Sequence, residues 1–213
     1  MYSKDVVSFA RAQGYYSGKD EDFSFSDTYN PLDYEGLRFC EARVWSFFRM
    51  MNPEMNKYFS YINGETVQRM PLYIKPAKQV SVEDIKMCMR DHYEGTPIDM
   101  TVGAGSGPFG SPFRSSPLTY KVDGVEYFHE RPIATQQTGF TFVAQMRSWL
   151  PDPIGGILWF GVDDASMGMY VPLYCGINAV PNCFDEKTGN MFDFSWKSAF
   201  WVNNWVASMV YNR

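Results

Sequence analysis

The feature that most constrains this chain is a change of hydrophobic period along its length. Between residues 37 and 51, Leu37, Cys40, Val44, Phe47, Phe48 and Met51 recur at steps of three and four. That spacing gathers side chains on one face of an α-helix. Beyond residue 139 the pattern changes to short aromatic and β-branched runs, "GFTFVAQMR", "GGILWFGV" and "GMYVPLYCG", which is how strands read. Helical segments followed by a block of strands point to an α+β fold. We find no repeat, linker or low-complexity tract in the 213 residues, so residues 1–213 are expected to form a single domain with a sizeable core.

The remaining elements follow from local signals. Apolar Val6, Val7, Phe9 and Ala10 predict a helix over 4–13, stopped by Gly14. Residues 15–36 predict a long ordered loop pinned by its aromatic rings. The helix over 37–51 should end at Asn52-Pro53, because a proline drives the residue before it out of the helical region. Ser81 with Asp84 three residues on is a capping-box arrangement. It opens a helix over 81–92 whose buried stripe is Val82, Ile85, Cys88 and Met89, with Gly95 and Pro97 ending it. "TVGAGSGPFGSPFRSSP" is rich in glycine and proline but lacks GK[ST] and the strand–helix context of a phosphate loop, so it predicts an irregular, closely packed loop. Strands are expected over 139–145, 157–162 and 169–175, the last two joined as an antiparallel hairpin through "DDASMG". A final helix over 195–210 should be capped by Ser195 and carry a wide apolar face.

Charge narrows the partners. With 24 acidic against 19 basic residues and a net charge of -5, no basic field attracts phosphates, and nucleic acid is not expected as a partner. No apolar stretch approaches the ~20 residues that cross a bilayer, so no membrane contact is expected either. Lys4, Asp5 and Arg11 interrupt the apolar run a signal peptide needs, and the compartment stays open. Cys40, Cys88, Cys175 and Cys183 show no CxxC spacing. They read as small buried residues or as a late disulfide, and spacing does not decide between these.

"CMRDHYEGTPIDMT" packs Arg90, Asp91, His92 and Glu94 into five positions. As a metal site it lacks a second histidine or cysteine at helical spacing, since the other histidine is His129. No metal and no cofactor are expected. On a helix Asp91 and His92 would point about 100° apart, which separates them as partners. The structural reading is a helix end: His92 favoured by the dipole, and Arg90 pairing with Glu94 at i,i+4 on a solvated face. A serine triad would have to recruit His92 or His129 without a GxSxG elbow to mark either. Cys88 lies at i,i+4 from His92 but on the apolar stripe, where a thiol is usually inert packing. The acid pairs in "DEDF" and "VDDAS" read as solvated loops.

Several long strings taken together resemble the C69 family of dipeptidases, relatives of the penicillin V acylases. They are "DFSFSDTYNPLDYEGLRFCEARVWSFF", "MRDHYEGTPIDMT", "ERPIATQQTGFTFVAQMRSWLP", "GGILWFGVDDASMGMYVPLY" and "WVASMVYNR", in order over nearly the whole chain. The resemblance implies part of the αββα four-layer sandwich of N-terminal-nucleophile hydrolases, with antiparallel sheet. The predicted helices 37–51, 81–92 and 195–210 would then cover the sheet. It also implies a dipeptide substrate, hydrolysed through a thioester on a cysteine freed at the mature N-terminus. None of the four cysteines can occupy that position here, so no catalytic residue is assigned in the chain. It is expected to be a middle-to-late portion of a dipeptidase, inactive alone, and to associate with itself or with the remainder of its parent. The rival reading is a non-catalytic binding or assembly domain that shares the fold. Asp91, His92 and Glu94 are the candidates for lining the substrate cleft. Arg131, in "RPIATQQTGF", is the candidate for gripping a substrate carboxylate, which suits an arginine fork.

Overall fold

A computed structural model describes residues 3–30, 32–114 and 119–211. The end of the glycine- and proline-rich loop, residues 115–117, and the last two residues of "WVASMVYNR" lie outside the described residues.

Among the longer helices, α1 spans Val6–Ala12, with Gly14 at φ +74 ending it as expected. The segment after it is not one loop. It contains short helical turns at Asp20–Asp22, Phe25–Tyr29 and Tyr34–Gly36. Its aromatics do pin it, for Tyr29 lies edge-on to both Tyr15 and Phe23. The predicted helix over 37–51 begins as a π-turn, Leu37–Glu41, and becomes regular as α2, Ala42–Met51. Within the π-turn the Arg38 side chain is buried and bonded to Glu130 at 2.9 Å and Asn63 at 3.1 Å. Asn52 leaves the helix in an extended conformation before Pro53, where the sequence placed the stop.

Helix α3, Val82–Met89, carries the complete capping box of Ser81 and Asp84. It ends three residues earlier than expected. The Arg90 and Asp91 amides donate to Met87 and Cys88, tightening the last turn. Tyr93 then adopts φ +66, which no helix can continue. Asp91 and His92 therefore lie beyond the helix, and an angle measured around its axis does not apply to them.

The three expected strands are present as β3 (Phe140–Met146), β4 (Gly156–Val162) and β5 (Val171–Tyr174), an antiparallel sheet in the order β3-β4-β5. A further hairpin, β1 (Thr119–Val122) with β2 (Val125–Phe128), was not anticipated. Its turn is Asp123-Gly124 with φ +51 and +80, the primed geometry that matches strand twist. The last helix, α4, spans Ala199–Tyr211. Ser195 does not cap it. Its Oγ and carbonyl accept from Lys197 and Ser198 and close a separate turn.

The main core is helical and not centred on the sheet. Leu37, Trp45, Met55, Tyr61 and Ile62 pack with Tyr93, Ile98 and Met100. Trp45 is buried and its indole N–H donates to the Met55 carbonyl at 3.0 Å, satisfying the one polar atom it takes inside. The expected helical covering of the sheet is thus partial: α3 packs on β3 and α4 on β4, while α2 packs against α3. One sheet face is covered, with Thr141, Val143 and Ile157 buried. The opposite face presents Phe140, Phe142, Met146 and Leu158 to the exterior. No helix among the described residues is long and apolar enough to cross a membrane.

Candidate active site

Immediately after α3 the chain makes a tight loop that buries the groups expected to face water. Asp91 and His92 are both 4% exposed. Backbone pairing explains why: the Asp91 carbonyl accepts from Ala134 at 3.2 Å and the His92 carbonyl from Met100 at 3.1 Å. The loop is thereby sewn to the 130s segment and to the core. Tyr93, fully buried, adds a third stitch, its hydroxyl donating to the Arg131 carbonyl at 2.7 Å.

The four polar side chains then divide. Asp91 turns toward α2, where its carboxylate accepts from Ser46 Oγ at 2.6 Å and from Arg49 at 3.3 Å. Burial pushes its pKa up against the pull of these two partners. Arg49 also donates to the Glu94 carbonyl at 3.1 Å, strapping α2 to the loop. Arg90 does not pair with Glu94 as its spacing suggested. It reaches across to the carbonyls of Ala165 at 3.4 Å and Gly168 at 3.1 Å. Glu94 instead backs the histidine. One oxygen accepts from the His92 backbone N–H at 2.7 Å, and the other lies 3.2 Å from Nδ1. Burial raises the Glu94 carboxyl, but these bonds outweigh it and hold it below its usual value, ionised at neutral pH.

The far side of the imidazole faces the turn after β4. Ser166 Oγ lies 3.2 Å from His92 Nε2. This partner was hidden in the sequence because "VDDAS" reads as solvated acids. Asp163 and Asp164 are instead 7% and 1% exposed. Asp164 accepts the amides of Ser166 at 2.7 Å and Met167 at 3.2 Å, and also the Tyr211 hydroxyl from α4. An aspartate accepting from amides two and three residues on is an Asx turn, and that is the signal by which the sequence could have revealed it.

His92 and Ser166 line a cleft of about 780 Å³ between the glycine-rich loop, residues 106–113, and α4. Phe109, Phe113, Trp205 and Met209 make its walls largely apolar. Of the predicted site residues, only His92 reaches this cleft. Asp91 and Glu94 stand behind it, and Arg131 borders a separate depression of about 30 Å³ that shares Pro112 and Phe113 with the cleft. The Arg131 side chain is exposed. Among the cysteines, only Cys88 is buried, and all four are free. Burial raises the Cys88 thiol to about 11, which keeps it a protonated packing residue as expected. The exposed Cys40 and Cys175 depart from the buried reading, and no disulfide joins any of the four. No group of three His, Cys, Asp or Glu side chains among the described residues is placed to hold a metal ion.

A cleft in an α+β fold, with a carboxylate-backed imidazole at its edge, is the arrangement that hydrolytic enzymes use to move protons. The chain belongs to Peptidase family C69, whose pattern matches residues 1–213. It is similar to a protein of Salmonella dublin named probable dipeptidase, at 28% identity over 177 residues, covering 83% of this chain and 35% of that one. A probable dipeptidase of Latilactobacillus sakei is 21% identical over 210 residues, 99% of this chain and 38% of its own length. Probable dipeptidase B of Streptococcus pyogenes serotype M1 is 24% identical over 212 residues, 98% of this chain and 38% of its own. The chain spans little more than a third of the length of these relatives.

Proposed function

We propose that this chain is one portion of a dipeptidase, and that the whole protein hydrolyses dipeptides by acyl transfer through a cysteine thioester. The observation that carries the reading is the match to Peptidase family C69 along the entire chain, together with relatives named probable dipeptidases. The nucleophile is then a cysteine outside these 213 residues. In support, Cys88 is buried with a raised pKa, and no hydrogen bond joins any of the four cysteines to a histidine among the described residues. Within the chain, His92 lines the substrate cleft with Glu94 and Asp91 behind it. Arg131, at the neighbouring depression, receives a substrate carboxylate. The largely exposed apolar face of the three-stranded sheet, with Phe140, Phe142 and Met146 outermost, supports one half of an αββα sandwich in which the rest of the parent supplies the facing sheet. The experiment is a dipeptide panel assayed with this chain and with the complete protein. Turnover is expected from the complete protein alone. Turnover by the 213-residue chain that survives replacement of all four cysteines would overturn the reading.

A further inference from the structure

We propose that Ser166, His92 and Glu94 form a serine acyl-transfer site that acts on activated esters, separate from any cysteine chemistry. Each group is in reach of the next: Ser166 Oγ is 3.2 Å from His92 Nε2, and His92 Nδ1 is 3.2 Å from Glu94 Oε1. A carboxylate at Nδ1 keeps the ring proton on that nitrogen, so the Nε2 lone pair faces the serine hydroxyl. That is the relation of nucleophile, base and orienting acid found in serine hydrolases on several unrelated folds.

The turn that carries the serine is held rigid. β4 runs into Asp163 at φ +66, and the turn closes with the Gly168 amide on the Asp164 carbonyl at 2.8 Å. A Cβ at Gly168 would stand 2.8 Å from that same carbonyl oxygen, so only glycine closes the turn. Arg90, two residues before His92, grips the carbonyls of Ala165 and Gly168 and so fixes the serine relative to the imidazole. Of the three non-glycine residues with positive φ among those described, Tyr93 and Asp163 flank this pair. Strained backbone of this kind concentrates at functional sites. The hydroxyl and imidazole both border the 780 Å³ cleft, so an acyl group has room beside them.

In the reaction, Ser166 Oγ attacks the ester carbonyl carbon while its proton passes to His92 Nε2. The tetrahedral adduct then collapses, the bond to the leaving oxygen breaks, and that oxygen takes the proton from Nε2. Water then attacks the acyl carbon as its proton passes to Nε2, the bond to Ser166 Oγ breaks, and Oγ takes that proton back, releasing the carboxylic acid and restoring the serine. The amides of Ser166 and Met167 are both committed to Asp164 Oδ1, so neither is free to stabilise the oxyanion as the donors of a full hydrolase site do. Substrates with a good leaving group, such as aryl esters, are therefore the class expected, and peptide amides are not.

The test is a fluorophosphonate probe incubated with the folded 213-residue chain, with the adduct located by intact mass and peptide mapping. A single adduct on Ser166 is expected, absent in Ser166→Ala and formed at least about tenfold more slowly in His92→Gln, as loss of a general base requires. Far-UV circular dichroism shows that each variant is folded. Ser166→Cys, which alters the site least, should be alkylated at position 166 faster than the native cysteines. No adduct on Ser166 in the folded chain, or equal labelling in His92→Gln, would overturn the proposal. Because the readout is a serine adduct rather than dipeptide turnover, its failure leaves the cysteine-dependent reading standing, and the reverse also holds.

Discussion

His92 shows how a single residue can satisfy two descriptions. It is a buried histidine with both ring nitrogens bonded, which is what a structural histidine looks like, yet it borders the 780 Å³ cleft. Kinetics separates the two. In the complete protein, His92→Ala should lower kcat/KM on a dipeptide by tenfold or more, about 1.4 kcal/mol of transition-state stabilisation. Unchanged kinetics with a lower melting temperature would instead assign it to packing alone. Tyr93 makes the complementary case. Its ring is in the core and its hydroxyl satisfies the Arg131 carbonyl. Tyr93→Phe should cost about 1 kcal/mol, the net value of such a bond. Urea unfolding would check it, and an unchanged midpoint would show that water replaces the hydroxyl.

At the scale of elements, local chemistry was legible where it is self-contained. The Ser81–Asp84 box is complete, and Lys78 adds a salt bridge to Asp84 at 2.9 Å. Ser81→Ala should destabilise the protein by about 1 kcal/mol. The Asp84 carboxyl is held well below the usual carboxylate range, first by the Ser81 backbone N–H, then by Lys78 and the Ser81 hydroxyl. A depressed native pKa stabilises only while the group is ionised. The contribution is therefore complete above an unfolded pKa of about 4 and lost as pH falls toward the native value. Asp84→Asn should narrow the gap between melting temperatures measured at about pH 3 and about pH 7. An unaltered gap would mean that the cap is not coupled to global stability. The end of the same helix departs from the sequence expectation, because it is decided by partners distant in sequence, Ala134 and Met100, which draw the backbone of Asp91 and His92 out of the helix.

For the whole molecule, the exposed apolar surface is the feature with consequences. Phe140, Phe142 and Met146 on the sheet are 59%, 52% and 79% exposed, and Trp196 before α4 and Trp205 on it are 59% and 48% exposed. Monomers rarely leave contiguous apolar surface beyond a few hundred Å². Light scattering over a range of concentrations should show the purified chain associating, and a hydrophobic dye should bind it. A clean monomer that ignores the dye would show that these side chains are covered in solution by the chain itself.

The hydrophobic periods were legible in the sequence, and with them most helices, all three strands of the main sheet, the capping box and the proline stop, because each depends on residues within a few positions of one another. It also carried the long strings that resemble the C69 family. The nature of the polar cluster came from the packed fold instead. Ser166 comes to His92 from 74 residues away. The acids of "VDDAS" are buried by Tyr211 and their own turn, and Asp91 is claimed by Ser46 and Arg49 of α2. The charges looked solvated in the sequence because their partners were distant in the chain. Burial and hydrogen bonding are properties of neighbours in space, and no local period encodes them.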